Sequence, residues 1–370
     1  METSGKSEVP LTRDESEIYS RQLILEDIGY EGQIKLKNAH IAILGLGGLG
    51  VPLSMQLAAM GTGRIKLVDR DIVSRSDLHR QFLYDIDSIN YPKAEAAAEK
   101  LGKLNPNILL EPLADVVTSF NIENILKDVD LVVDGLDSIE TRYIVNRACV
   151  KLNKPYIFGA AIEAYGNTST IIPGDTACLE CFYPGLENKD LPRCAIVGVL
   201  PPILSSIASV QVSEAIKVIR GSKPVLTNKL LYVDLRTLSF DEIDVSKRGD
   251  CSVCGDNPTP PIHKENKVEA VCGRDGRGVF SITPQQRIEL DLEELREFLG
   301  SKGLRGKTNS KFSICFDYDS KLTLTIFKYG AAIAQLKPPS SQEDTKRILE
   351  IYKSILGDGM NIPNEAFPKQ

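Results

Sequence analysis

Short apolar runs alternate along this chain with longer stretches of helical spacing. Residues 40–44 form a compact apolar run that stops at Gly45, as a buried strand would. Residues 49–60 have helical length and stop at Gly61. Pro52 is tolerated there because the first turn of a helix leaves that N–H unused. The alternation continues with a strand over 64–69, an Ala-rich helix over 92–104, a short strand over 108–110 and a short helix over 122–126. A strand over 131–134, a helix over 140–152 and a strand over 156–158 complete the series. Strands alternating with helices predict an α/β fold with a mostly parallel sheet and helices on both faces. Ligands of such sheets bind beyond the carboxyl ends of the strands.

On either side the pattern changes. Residues 1–15 are polar and read as a flexible tail, with no apolar core of a secretory signal. An amphipathic helix over 16–25 would bury Ile18, Leu23, Ile24 and Leu25, and a polar linker follows it. Over 174–201 periodicity lapses, which suggests a long crossing loop before a helix over 203–219 introduced by Pro201-Pro202. Strands over 230–234 and 237–245 flank a turn, and residues 257–277, with Asn257-Pro-Thr-Pro-Pro-Ile262, read as a linker. Beyond it, 278–370 carries strands over 279–282, 310–316 and 322–327 and helices over 292–299 and 344–356, a small α+β domain of its own.

Composition narrows the functional classes. With 44 Lys+Arg against 50 Asp+Glu the formal net charge is −6, unlike the basic balance of a nucleic-acid binder. Hydrophobic residues at 42% exclude a largely disordered chain, and no run of 18 apolar residues suggests a membrane span. Four of the eight cysteines form two C-x-x-C pairs, Cys178/Cys181 and Cys251/Cys254. Four thiolates at that spacing suit a tetrahedral zinc ion in a closed structural site.

Gly45-Leu-Gly47-Gly48-Leu-Gly50 follows a strand and opens a helix, so anionic phosphates can approach backbone N–H groups there. Asp69 ends the next strand and is placed to accept from ribose hydroxyls. These two features fit a dinucleotide-binding dehydrogenase as well as an ATP site. Asp71, Asp77, Arg80, Gln81, Lys93 and Asp137 would gather at the same sheet edge. Paired cations with a loop carboxylate answer the charge of a triphosphate with Mg²⁺, which a hydride-transfer site does not need. Cys194, beside Arg193 in the crossing loop, is a candidate thiolate nucleophile. Cys149 and Cys315 read as core. Cys272-Gly-Arg-Asp-Gly-Arg277 has the composition of an anion cradle but precedes a strand, and neither it nor the three histidines is assigned a role.

Tyr19-Ser-Arg21-Gln22, the Gly45–Gly50 turn, Asp69-Arg-Asp71, Leu78-His-Arg80-Gln81, Pro92-Lys93, Asn105-Pro106, Asp134-Gly-Leu-Asp137 and the cysteine pairs occur in this order over 16–254. In that combination the chain resembles the ubiquitin-activating-type adenylating enzymes, which include thiamine and molybdopterin adenylyltransferases and activators of ubiquitin-like modifiers. The resemblance implies a Rossmann-like adenylation domain over 16–256 with a zinc-clamped crossover. It implies that Gly45, Gly47, Gly48 and Gly50 line the phosphates of ATP, with Asp71 and Gln81 nearby. Asp69 would hold the ribose, Arg80 and Lys93 would neutralise phosphates, and Asp137 would coordinate Mg²⁺. Arg21 would reach the γ-phosphate from the neighbouring subunit of a homodimer. Cys178, Cys181, Cys251 and Cys254 would hold structural zinc, and Cys194 would take the acyl group or join a persulfide relay. Asp77 and Ser138 stand where the family commonly has Asn.

The reaction implied is adenylation of the C-terminal Gly carboxylate of a ubiquitin-like or sulfur-carrier β-grasp protein ending in Gly-Gly. A conjugating enzyme or a sulfurtransferase would act downstream, in the cytoplasm, with neither nucleic acid nor membrane as partner. The competing reading, an NAD-dependent oxidoreductase, uses the glycine turn and Asp69 but leaves Arg21, Arg80, Lys93 and the cysteine pairs without work.

Overall fold

The strand expected at 40–44 is β1 (His40–Leu44), buried at every position. It lies in a computed structural model that describes residues 9–191, 197–259, 268–271, 278–337 and 342–368. Before it come α1 (Arg13–Ile18), α2 (Ser20–Leu23) and α3 (Gly29–Asn38). After it come α4 (Gly50–Ala59), β2 (Arg64–Val68), α5 (Lys93–Leu104), β3 (Leu109–Leu113), α6 (Ile122–Leu126), β4 (Leu131–Asp134), α7 (Ile139–Lys151) and β5 (Tyr156–Ile162). Then follow β6 (Tyr165–Ile171), α8 (Leu179–Phe182), α9 (Pro201–Arg220), β7 (Lys229–Asp234) and β8 (Ser239–Asp244).

These strands form one eight-stranded sheet in the order β3-β2-β1-β4-β5-β6-β7-β8. The first five are parallel to one another, and β6, β7 and β8 are added antiparallel. Side chains of β1 alternate between two cores. Ile41 and Ile43 join Leu53 and Leu57 of α4, Ala94 and Ala97 of α5, and Ala208 and Val212 of α9. Ala42 and Leu44 join Ile122 and Leu126 of α6 and Val145 and Ala148 of α7. Burying each such Ile or Leu contributes about 1.5–3 kcal/mol, which is why a strand apolar at every position becomes the centre of the sheet.

The amino-terminal expectation is corrected. The stretch 16–25 is not one helix, because α1 and α2 break at Tyr19. Ile18, Ile24 and Leu25 are exposed, Ile24 by 77%, while Tyr19 is buried. The Tyr19 ring packs on Gly61, where a Cβ would lie 2.4 Å from it, and its hydroxyl accepts from Asn105 Nδ2 at 2.8 Å. The polar stretch read as a linker contains α3, whose buried Gln33 donates to Met60 O at 2.9 Å. β6 has no counterpart in the sequence reading because its buried face is largely hydroxyls. Thr168 donates to Phe158 O at 2.7 Å, Ser169 to Lys229 O at 2.8 Å and Thr170 to Glu214 Oε2 at 2.9 Å.

α9 is the one helix among the described residues long and apolar enough by composition to cross a membrane. It packs instead on α4, β5 and β6. It buries Glu214, whose carboxylate also accepts the Leu226 N–H at 2.8 Å, and Gln211, which donates to Asp134 O at 2.9 Å.

A second sheet follows. β9 (Val268–Val271) falls within the stretch read as a linker, and β10 (Gly278–Ile282) pairs with it. α10 (Leu292–Ser301), β11 (Ser313–Asp317), β12 (Leu322–Phe327), β13 (Ala332–Leu336) and α11 (Gln342–Met360) complete it. The strands run antiparallel in the order β11-β12-β13-β10-β9, over a core of their own with α10 and α11. Phe327, Ala331 and Ile333 belong instead to the cluster of α4 and α5. Glu95 on α5 accepts from Ser310 Oγ at 2.5 Å and from the Lys311 N–H at 3.1 Å. The two sheets are thus tied through α5.

Phe327→Ala removes a buried ring from that shared cluster, and a cost of about 3–5 kcal/mol is expected. Denaturant titration will show it as a lowered midpoint, whereas a change under 1 kcal/mol would mean the shared cluster is not packed as described.

Candidate active site

A cavity of about 410 Å³ opens beyond the carboxyl ends of β1 to β5, within the size range of small-molecule sites. The turn between β1 and α4 forms its floor. Gly45 has φ +87, and a Cβ on it would sit 2.5 Å from Gly135 O. A Cβ on Gly50 would lie 1.8 Å from Gly45 O, so Gly50 packs the helix onto the turn and does not line the cavity, contrary to expectation. Gly48 lines it but is closed from behind by Leu204 at 2.7 Å. Gly47 is different. Among the described residues, the only atom near its hypothetical Cβ is Gln81 Nε2 at 3.9 Å. No described residue demands a glycine there, so the space suits a ligand that approaches the backbone. Gln81 itself is buried, with Oε1 unpartnered among the described residues.

The strand order spreads charged groups across the mouth. Asp69, at the end of β2, accepts N–H bonds from Leu46 at 2.6 Å and Asp71 at 2.7 Å. Burial above all pushes Asp69 up to about 6, against the pull of Lys93. Lys93 is only 2% exposed, with Nζ 3.3 Å from Asp71 Oδ2 and 4.0 Å from Asp77 Oδ2. Burial opposes its charge, but Asp71 and then Asp69 outweigh it and hold the ammonium above its ordinary range. Tyr84 donates to Leu46 O at 2.9 Å with Lys93 O at 3.4 Å, linking the turn to α5.

Asp77, the first departure from the family pattern, is buried beneath the site. It accepts from Ser74 Oγ at 2.8 Å, Arg80 Nη2 at 3.0 Å and Gln81 Nε2 at 2.9 Å. Its charge holds two cavity-lining side chains in place. Ser138, the second departure, caps α7 by accepting the Thr141 N–H at 3.2 Å.

Asp137 lies exposed at the cavity edge just past β4. Of its neighbours, the sequence reading named Asp134 only as a motif letter and missed Arg142 and Tyr156. Buried Asp134 accepts from Arg142 Nε at 2.9 Å, Tyr156 OH at 2.6 Å and Leu136 N–H at 2.8 Å. Arg142 also donates to Leu136 O and to Gly159 O and lies 5.4 Å from the Phe158 ring centre. Leu136, the residue before Asp137, is therefore held at both its N–H and its carbonyl. Burial pushes Asp134 above the ordinary carboxylate range, with Arg142 opposing. An Asp ending a strand with an Arg eight positions later was the available signal.

Cys178 Sγ lies 3.7 Å from Cys251 Sγ, Cys181 Sγ lies 3.4 Å from Cys254 Sγ, and all four sulfurs fall within 4.8 Å of one another. A disulfide needs about 2.05 Å. A tetrahedron with zinc–sulfur bonds of about 2.3 Å has edges of about 3.8 Å, so these thiols fit a structural zinc ion. Arg147 joins the two strips by bonding Glu180 at 2.7 Å and Ser252 Oγ at 3.2 Å. Cys149 and Cys315 are buried, and Cys194, Cys272 and His263 lie outside the described residues. His40, Glu111 and Asp128 cluster at the opposite end of the sheet, where Arg64 and Lys66 already pair with the carboxylates. Arg21 is exposed on α2 and does not line the cavity.

Fold and site together define a nucleotide-binding α/β protein with a thiol-clamped crossover. A family model described as the ThiF family matches residues 19–253, and the chain belongs to that family. It is 39% identical over 271 residues to "Adenylyltransferase and sulfurtransferase MOCS3" of Drosophila sechellia, an alignment covering 73% of this chain but only 59% of that one. It is 38% identical over 268 residues to the "Sulfur carrier protein adenylyltransferase" of Thermus thermophilus, covering 71% of this chain and 98% of that protein. Among solved structures it resembles E. coli MccB with ATP at 28% identity and a TM-score of 0.54, over 60% of this chain and 69% of that one.

Asp115, just past β3, also lines the cavity, and burial pushes its pKa from 3.8 up to about 6. Between those values the folded chain keeps a proton that the unfolded chain has released. The group's contribution to stability therefore declines as pH rises from about 4 to about 6 and is level above. Relative to wild type, Asp115→Asn should gain on the order of 2–3 kcal/mol between pH 4 and pH 7, read from denaturant midpoints. A gap that stays constant with pH would contradict the assigned environment.

Proposed function

We propose that this chain uses ATP to adenylate the C-terminal Gly carboxylate of a ubiquitin-like or sulfur-carrier protein. The observation that carries this reading is the convergence of Gly47, Arg80, Lys93 and Asp137 on one cavity at the strand ends. The N–H groups of the glycine turn cradle the phosphates, and Asp69 accepts from the ribose hydroxyls. Lys93 and Arg80, each anchored by a carboxylate, neutralise phosphate charge that grows during the reaction. Asp137 would hold a Mg²⁺ ion, which when bound would supply positive charge to the phosphates. The carboxylate oxygen of the carrier attacks the α-phosphorus, the bond to the bridging oxygen breaks, and pyrophosphate leaves with its electron pair. Side chains contribute position and charge, not covalent chemistry.

The far end of the cavity, lined by Ala160, Ile162, Tyr165, Val199 and Tyr232, offers a largely apolar path for a Gly-Gly tail. The names of the fly and Thermus relatives support a sulfur carrier over a conjugated modifier. Arg21, exposed on α2 among exposed Ile18, Ile24 and Leu25, suits donation to the site of a second subunit in a homodimer. Cys194 is the candidate acceptor of the acyl group as a thioester, with AMP leaving, or of the sulfane sulfur of a donor persulfide, with the donor thiol leaving. The four clustered cysteines hold zinc that ties the crossing segment to the far side of the domain, without part in catalysis. The nicotinamide alternative is not favoured, since it leaves the cations and the clamp unexplained.

ATP–pyrophosphate exchange should depend on an added Gly-Gly carrier and should fall about 10²–10³-fold in Asp137→Ala; full exchange in that variant would overturn the site. Mixed Arg21→Ala and Asp137→Ala subunits should regain activity at about a quarter of sites if Arg21 acts in trans, while no recovery would place it elsewhere. Elemental analysis should find one zinc per chain and its loss in Cys181→Ser, with exchange chemistry intact wherever the protein stays folded.

A further inference from the structure

Asp115 stands at a strand end of the cavity to which the proposed reaction has given no task. The parallel half of the sheet lays out the groups in a fixed order, with Asp137 past β4, the glycine turn past β1, Asp69 past β2 and Asp115 past β3. Neighbouring strands are about 4.8 Å apart, so the glycine turn and the end of β3 are about 10 Å apart. A nucleoside triphosphate with its phosphates on the turn and its ribose on Asp69 must carry its base onward to the end of β3.

The chemistry there is that of a base-reading wall. Val116 and Val117 line the cavity and offer apolar faces. Asp115 is buried and held rigidly. It accepts the Val116 N–H at 2.8 Å and a bond from the Asn121 side chain. Asn121 also donates to Val116 O at 2.7 Å and accepts the Thr118 N–H at 2.8 Å, so the loop carrying Asp115 is fixed on both sides. A carboxylate has about four acceptor positions, so two bonds leave it able to accept more. Arg287, from the loop between β10 and α10, lies near enough to favour its charged form.

We propose that Asp115 is the specificity-determining residue for the purine, accepting a hydrogen bond from the exocyclic 6-amino group of adenine. This assignment rests on the ATP reading above. A 6-oxo purine would turn lone pairs toward a buried carboxylate, an acceptor facing an acceptor in a place from which water is largely excluded. The site would then admit adenine and reject guanine or hypoxanthine. In sequence, Asp115 had no motif to mark it.

The test compares ATP, purine riboside triphosphate, which lacks the 6-amino group, and inosine triphosphate, which has a 6-oxo group. Each is measured in carrier-dependent exchange with wild type, Asp115→Ala and Asp115→Asn, with thermal melting to confirm folding. Wild type should prefer ATP over the 6-H analogue by about 10- to 100-fold in kcat/KM. In Asp115→Ala that ratio should shrink to within about 3-fold. In Asp115→Asn, whose amide can donate, inosine triphosphate should gain at least about 10-fold relative to ATP, an effect that mere loosening of the fold cannot produce. If wild type does not distinguish ATP from the 6-H analogue, or if Asp115→Ala keeps the wild-type ratio, Asp115 does not read the base, although the adenylation reading stands. If wild type neither binds ATP nor catalyses exchange, the broader reading fails first and this one with it.

Discussion

The turn at Gly45 and the loop at Gly135 approach each other too closely for any side chain between them. A Cβ on Gly135 would meet Gly45 O at 2.4 Å and one on Gly50 would meet the same oxygen at 1.8 Å. This three-way backbone contact sets the distance between the end of β1 and the end of β4. It places the amino terminus of α4 and Asp137 on the same cavity, one on each side of the point where the strand order diverges. Asp134 and Arg142 then hold Leu136 from beneath, and Tyr84 holds Leu46 and Lys93 from the other side. The charged groups are therefore positioned by backbone geometry and buried polar bonds before any substrate arrives, the condition under which fixed charges are most effective.

The second sheet is part of that arrangement. Its Phe327 and Ile333 share a core with Ala94 and Ala97 of α5, and Ser310 bonds Glu95 two residues after Lys93. A module whose sequence carries no catalytic signature thus supports the helix that begins with the buried cation. On the other face, Arg147, Glu180 and Ser252 lock together the two strips that carry the cysteine pairs.

Much of this was legible because apolar pattern and glycine chemistry are local signals. The runs that became β1, α6, β4 and β12 are each apolar enough, and sharply enough bounded, for their ends to be read directly. The turn from Gly45 to Gly50 was legible as a tight strand-to-helix connection, but the separate work of its glycines was not. Only the structure shows that Gly50 serves packing while Gly47 faces open space. β6 was illegible because it buries threonine and serine hydroxyls whose acceptors come from Phe158 on the neighbouring strand and from Lys229 and Glu214, both distant in sequence. Tyr19 and Asn105 had been noted as motif letters, yet their bond across 86 positions is a tertiary fact. Asp134 was likewise a motif letter whose ion pair with Arg142 was missed, since a buried ion pair leaves no periodic trace.

The central claim is that a triphosphate nucleotide lies on the glycine turn between Lys93 and Asp137. Equilibrium titration of the purified protein with ATP and, separately, with NAD is the most direct measurement of it. The account requires saturable ATP binding with Mg²⁺, weakened about 10-fold or more by Lys93→Ala, and no comparable uptake of NAD. Tight NAD binding with no measurable affinity for ATP would contradict it.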